Sequence, residues 1–108
     1  MMKGEVWWAD LGTTVGHEQS GRRPIVILRY TEGLVISIPL TTNIRRVKSE
    51  FNMILYPDTV NNLPTISVSM VSQIRSLDQR RLGNKIGVLS SDDIQGLDFM
   101  MKNMLALA

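Results

Sequence analysis

The chain has no cysteine, which excludes a disulfide framework, a thiolate nucleophile and a cysteine-based zinc site. A single histidine leaves too few imidazoles for a histidine-rich site, so neither a metal nor another cofactor is expected. No apolar run approaches the ~18 residues of a membrane span. Met1-Met2-Lys3-Gly4-Glu5 also lacks the basic-then-apolar profile of a signal peptide, and the expected location is the cytoplasm, with no role at a membrane. Neither sign of charge dominates: 12 Lys and Arg stand against 10 Asp and Glu, a net charge of +2. What is present is 44% hydrophobic residues in a chain of 108, which is enough apolar material for one core and too little length for two. A single domain spanning residues 1–108 is expected.

The basic residues are unevenly divided. Eight are arginine and four lysine, and six of the arginines form the pairs Arg22-Arg23, Arg45-Arg46 and Arg80-Arg81. Planar, permanently charged guanidinium groups suit phosphates and carboxylates better than lysine does, so the pattern points to an anionic partner.

Short aromatic Glu5–Asp10, between Gly4 and Gly12, predicts a strand. Gly12 to Arg22 holds three glycines and no apolar period, which predicts a loop. Pro24–Tyr30 and Leu34–Leu40 are continuous apolar runs flanking Thr31-Glu32-Gly33, a turn signal, and together predict a hairpin. A polar loop follows from Thr41 to Glu50, then a strand over Phe51–Tyr56 and a turn-rich stretch from Pro57 to Pro64. Thr65–Val71 alternates Ile66, Val68 and Met70 with Ser67 and Ser69, the pattern of a half-buried strand. Ile74–Leu77 reads as its continuation past a bulge, Gln79–Leu82 as a helical turn, and Lys85–Leu89 as a last short strand.

A helix is expected from about Ser91 to Leu107, capped by Ser90 or Ser91, with Asp92 and Asp93 in its first turn and an apolar stripe ending at Leu105. Gly96 weakens it by about 1 kcal/mol relative to alanine. The fold class is thus mainly β with a C-terminal α-helix: a small, strongly twisted antiparallel sheet or partly open barrel.

Three segments carry polar groups suited to chemistry. Gly16 to Pro24 gathers His17, Glu18, Gln19, Ser20, Arg22 and Arg23 at the mouth of a central strand, although a solvated loop with Glu18 paired to an arginine accounts for the same residues. Leu40-Thr41-Thr42-Asn43 ends the second hairpin strand in two hydroxyls and an amide. Antiparallel pairing would set Thr41 beside Arg23, while Thr41 and Thr42 read equally as groups that satisfy backbone at a strand end. In Gln73 to Leu82, Arg75 is placed to face a ligand and Asp78 to cap the next turn, while Arg80-Arg81 reads as a solvated face.

These groups match a particular chemistry. RNA carries its own nucleophile, the 2′-OH, so strand cleavage needs a group to take that proton, a cation on the phosphorane and an acid for the leaving oxygen. Arg23 suits the phosphate, Thr41 a non-bridging oxygen, and Glu18 or His17 the proton transfer. DNA lacks the 2′-OH and would not react by this route.

Gly4-Glu5-Val6-Trp7, then Gly16-His17-Glu18-Gln19-x-Gly21-x-Arg23-Pro24-Ile-Val-Ile, resembles the amino-terminal signature of the MazF/PemK toxins of bacterial toxin–antitoxin systems. Leu40-Thr41, Gln73-Ile-Arg75-Ser-Leu-Asp78-x-x-Arg81-Leu82 and the terminal helix follow in that family's order, so the resemblance spans nearly the whole chain. It implies an SH3-like barrel, a homodimer and a metal-independent endoribonuclease. Such an enzyme cuts single-stranded RNA at short sequences, leaves a 2′,3′-cyclic phosphate and a 5′-OH, and is inhibited by a small acidic antitoxin.

By position, Arg23 and Thr41 match the family's catalytic arginine and threonine, and Glu18 and Gln19 its active-site loop. His17, Gln19, Ser20, Thr42, Asn43 and Arg75 are carried as substrate-binding candidates. One branch, similar in His17, is proposed to use an Asp and an Arg on the later strand. Ser72 and Met70 stand there, which favours the arginine–threonine scheme. The same barrel is used by CcdB-like toxins that bind gyrase without catalysis, so a non-catalytic binder and an inactive relative are the alternatives.

Overall fold

The computed structural model describes residues 1–107. Its centre is the hairpin of β2 (Arg22–Thr31) and β3 (Leu34–Thr41), joined by Glu32 and Gly33, both at positive φ as a tight two-residue turn requires. Both runs are continuously apolar because both faces are covered. Val26 and Ile38 face one cluster with Val6, Leu40, Leu55 and Leu97, while Ile25 and Ile27 face another with Ala9, Leu11, Val35 and Leu77. Each such large side chain removed from water contributes roughly 1.5–3 kcal/mol.

β1 (Glu5–Asp10) pairs antiparallel with β2, setting Trp8 opposite Pro24, and on its other edge with β7 (Leu82–Val88). β3 has two partners along one edge. Its first half, Leu34–Ser37, takes β6 (Arg75–Asp78), and its end, Leu40–Thr41, takes β5 (Ser67–Met70), which in turn pairs with β4 (Asn52–Leu55). All seven strands belong to one antiparallel sheet. It curls without closing, since β6 and β7 follow one another through the 3-10 turn Gln79–Arg81 but do not pair. The partly open form is therefore the one observed.

The helix α1 (Ser91–Met104) is three residues shorter at its C-terminal end than its periodicity predicts. Ser90 caps it by accepting from the Asp93 N–H at 3.1 Å. Gly96, unfavourable for a helix, faces β4: a Cβ there would lie 2.8 Å from the Met53 sulfur. No helix among the described residues is long and apolar enough to cross a membrane.

Four local expectations are corrected. The Thr65–Val71 segment forms a strand only over Ser67–Met70, and it is fully buried rather than half-buried, while Ile66 is exposed. The serines are tolerated inside because the Ser69 hydroxyl donates to the Met53 carbonyl (2.8 Å) and that of Ser67 to Thr65 (3.1 Å). Residues 74–77 do not continue β5: the 3-10 turn Val71–Gln73 redirects the chain to the other half of β3. Finally, the Thr41–Glu50 loop contains a 3-10 helix, Ile44–Lys48, and the last strand starts at Leu82 rather than Lys85.

Candidate active site

Where β2 begins and β3 ends, the hairpin opens a cleft of about 260 Å³. Arg23 and Thr41 both line it: Ile25 pairs with Pro39, and carrying that antiparallel register two residues outward sets Arg23 opposite Thr41. Trp8, Arg22, Thr42 and Ser67 complete its polar and aromatic wall, with no carboxylate in the lining among the described residues.

Arg23 is held from two directions. Its Nε donates to the Ser20 carbonyl (3.0 Å) and its Nη1 to the Leu40 carbonyl (3.3 Å), one acceptor from the preceding loop and one from β3. A guanidinium has five N–H donors in a rigid fork, so fixing two orients its plane and leaves the others for an anion. Partial burial lowers the Arg23 pKa from its ordinary value, and the nearby positive charge of Arg46 lowers it further. The group remains a cation, in a place that favours an added negative charge.

Thr41 ends β3 with its side-chain oxygen accepting from the Asn43 N–H at 3.2 Å, so its hydroxyl proton stays available to a ligand. Asn43 is occupied otherwise: its side chain accepts from the Arg45 N–H and caps the Ile44–Lys48 turn. Thr42 is exposed at the cleft rim.

The loop before β2 is closed at its base by Leu11 N–H to Gly21 carbonyl (2.9 Å) and Gly21 N–H to Gly12 carbonyl (3.0 Å). Its tip is tied to the far side of the sheet. The Gln73 side chain accepts from the Gln19 N–H (2.8 Å) and donates to the His17 carbonyl (3.2 Å). His17, Glu18 and Ser20 are exposed on this loop, and none of their side chains lines the cleft.

Arg75 is not brought to the cleft either. It lies on β6 opposite Ser37, with its Nη1 buried and without an acceptor. Thus Arg23, Thr41 and Thr42 converge, the Glu18 loop borders them, and Asn43 and Arg75 stand apart.

Three contributors have no role assigned from sequence. Trp8 carries the Arg22 guanidinium over its ring, 5.3 Å from the centroid; Gln73 anchors the loop; Arg46 adds a further cation near Arg23. The Arg45-Arg46 pair was the one available signal for Arg46. Among the described residues no group of three or more His, Cys, Asp or Glu is arranged to hold a metal ion.

A curled antiparallel sheet with a terminal helix and an arginine-lined cleft defines a small β protein whose cleft is electrostatically suited to an anion. Residues 2–105 match the sequence model of the PemK-like, MazF-like toxins of type II toxin-antitoxin systems, and the chain belongs to that family. It is 30% identical to the endoribonuclease MazF9 of Mycobacterium tuberculosis, over 99% of this chain and 98% of that protein. Among solved structures, MazF of Deinococcus radiodurans superposes with a TM-score of 0.82 at 25% identity, covering 97% of this chain and 96% of that one. A mycobacterial endoribonuclease in complex with its cognate antitoxin shares the fold, with a TM-score of 0.79 at 18% identity over 100% of this chain and 97% of that one.

Proposed function

We propose that this chain is a toxin–antitoxin endoribonuclease that cuts single-stranded RNA at short sequences without a metal, acting as one domain in the cytoplasm. The observation that carries the reading is the convergence of Arg23 and Thr41 on a cleft free of carboxylates. The 2′-OH attacks the adjacent phosphorus as its proton leaves. Arg23 offers its free N–H groups to the non-bridging oxygens, whose charge grows in the phosphorane, and Thr41 donates to one of them. The P–O5′ bond then breaks with protonation of the leaving oxygen, giving a 2′,3′-cyclic phosphate and a 5′-OH. Glu18 and His17, on the loop bordering the cleft, are the groups for the two proton transfers.

An acidic antitoxin segment suits the same cleft for the same electrostatic reason, and one solved neighbour is an endoribonuclease bound to its cognate antitoxin. A homodimer is part of the reading: Phe99, Leu105 and Leu107 at the C-terminal end leave apolar surface exposed.

Incubation of long RNA with the protein in EDTA tests the proposal. Wild type is expected to cleave and leave cyclic-phosphate ends, and Arg23→Ala and Thr41→Val to lose roughly 10²–10³ in rate. Absence of cleavage by wild type, or Arg23→Ala cleaving at the wild-type rate, ends it.

A further inference from the structure

Beside the Arg23–Thr41 cleft lies a second, of about 430 Å³, lined by Trp8, Asp10, Arg22, Arg81 and Gly83 together with Ala9 and Leu82. Trp8 and Arg22 belong to both linings. β1 carries Trp8 between β2 on one side and β7 on the other, so the stacked Trp8–Arg22 pair forms a ridge between the two clefts. The flanking strands stand roughly 10 Å apart, two inter-strand spacings.

From this arrangement we infer that the second cleft is a nucleotide subsite, occupied by a residue of the RNA next to the pair at the scissile linkage. The inference rests on the endoribonuclease reading and adds to it the place where the strand continues.

Each element of the second cleft fits that use. Bases stack on aromatic and guanidinium planes irrespective of sequence, which is what the Trp8–Arg22 ridge presents. Arg81 holds its position through one bond, Nη1 to the Asp10 carbonyl at 3.3 Å, and has no carboxylate partner among the described residues. Its remaining N–H groups are available to a phosphate. The adjacent Arg80 is different: it is paired with Asp78 and its side chain is 86% exposed, away from either cleft. The Asp10 carboxylate is engaged by the Gly12 N–H at 2.8 Å and leaves room for an exocyclic amino group of a base. Gly83 keeps the floor open. A Cβ there would meet Trp8 Cβ at 3.6 Å and Arg22 Nη2 at 3.7 Å, ordinary contacts, so a larger side chain fills the cleft without forcing the backbone.

The experiment compares kcat/KM for the shortest RNA that wild type cuts with RNAs one and two nucleotides longer at either end. Wild type is expected to gain about tenfold from extension at one end. In Gly83→Val and Arg81→Ala the ratio of extended to shortest substrate falls to near one, and in Arg80→Ala it stays at the wild-type value. Arg81→Ala also lowers the slope of log Kd against log salt by about 0.7 for an extended RNA carrying a 2′-deoxy group at the scissile position.

A wild-type ratio retained in Arg81→Ala overturns the inference even if Gly83→Val fails to fold. It is equally overturned if both variants cut RNA as wild type does and lose affinity only for an acidic peptide, which would make the cleft an antitoxin site. No cleavage of any RNA by wild type removes the underlying reading and this one with it.

Discussion

The side chain of Gln73 and the backbone of Gln19, 54 positions apart in sequence, are joined by a 2.8 Å hydrogen bond. The other end of the same carboxamide donates to the His17 carbonyl. One side chain on the turn between β5 and β6 thereby fixes both residues that flank Glu18. Gln73→Ala removes two bonds worth about 1 kcal/mol each, so the loop is expected to lose order equivalent to roughly 5–30-fold in cleavage rate. Hydrogen exchange at the Gln19 amide checks the cause: protection should vanish there and persist in β2. Wild-type protection at Gln19 in the variant would show that the loop is held by its own base.

The contrast between β2–β3 and this clamp shows what a sequence can disclose. The hairpin is legible because both of its strands are buried on two faces, and a run such as Ile25-Val-Ile needs no knowledge of its neighbours to read as interior. The Arg23–Thr41 juxtaposition follows from that hairpin alone. The alternation at Ser67 and Ser69 reports polarity, not burial: Ser69 is buried because its hydroxyl reaches the Met53 carbonyl on β4, and Ser67 because its own reaches back to the Thr65 carbonyl. Trp8 was silent for a related reason: the register of β1 against β7 shifts on both sides of Trp7, so counting along the strand does not tell where the ring goes. Gln73 and Arg46 act across the fold and leave no local period.

Arg46 is expected to act on binding more than on chemistry. Its charge is felt at Arg23, and the 3-10 helix that carries it is fastened by Asn52 Nδ2 donating to the Arg46 carbonyl at 2.7 Å. Arg46→Ala should raise KM several-fold, with a smaller change in kcat, and reduce the salt slope of RNA affinity by about 0.7, the share of one phosphate on a single strand. An unchanged slope with a lowered kcat would move Arg46 from binding to catalysis.

Acid stability should depend on Glu5. Burial pushes its pKa up, but the Trp7 Nε1 bond (2.9 Å), a backbone bond from Met2 and Lys85 Nζ (3.3 Å) together outweigh it and hold the pKa below the ordinary 4.5. A carboxylate with a depressed folded-state pKa adds stability above its unfolded value, and that contribution disappears as pH falls through the folded value. At pH 7, Glu5→Gln should therefore lower Tm by about 4 °C, corresponding to roughly 1 kcal/mol. As pH falls below 4.5 and through the folded-state value, the gap between variant and wild type should close. Thermal melts at several pH values measure it, and a gap that widens toward acid would contradict the assignment.

Gly87 and Gly83 lie four residues apart on β7 and should respond oppositely to the same methyl group. A Cβ on Gly87 would run into the Asn61 carbonyl and the Val60 oxygen, both backbone and unable to swing aside. That backbone is fixed in turn. Asn61 is fully buried, accepts from the Asp58 and Leu63 N–H groups at 3.0 Å each and donates to the Tyr56 carbonyl at 2.9 Å, while the Val60 carbonyl takes the Val88 N–H. Gly87→Ala must displace the connection between β4 and β5 or break its pairing to β7, costing about 1–3 kcal/mol. Gly83→Ala meets only ordinary contacts at an unstrained φ and should stabilise by up to about 1 kcal/mol. Urea unfolding midpoints separate the two, and equal losses would mean that the Tyr56–Leu63 connection yields more readily than its hydrogen bonds imply.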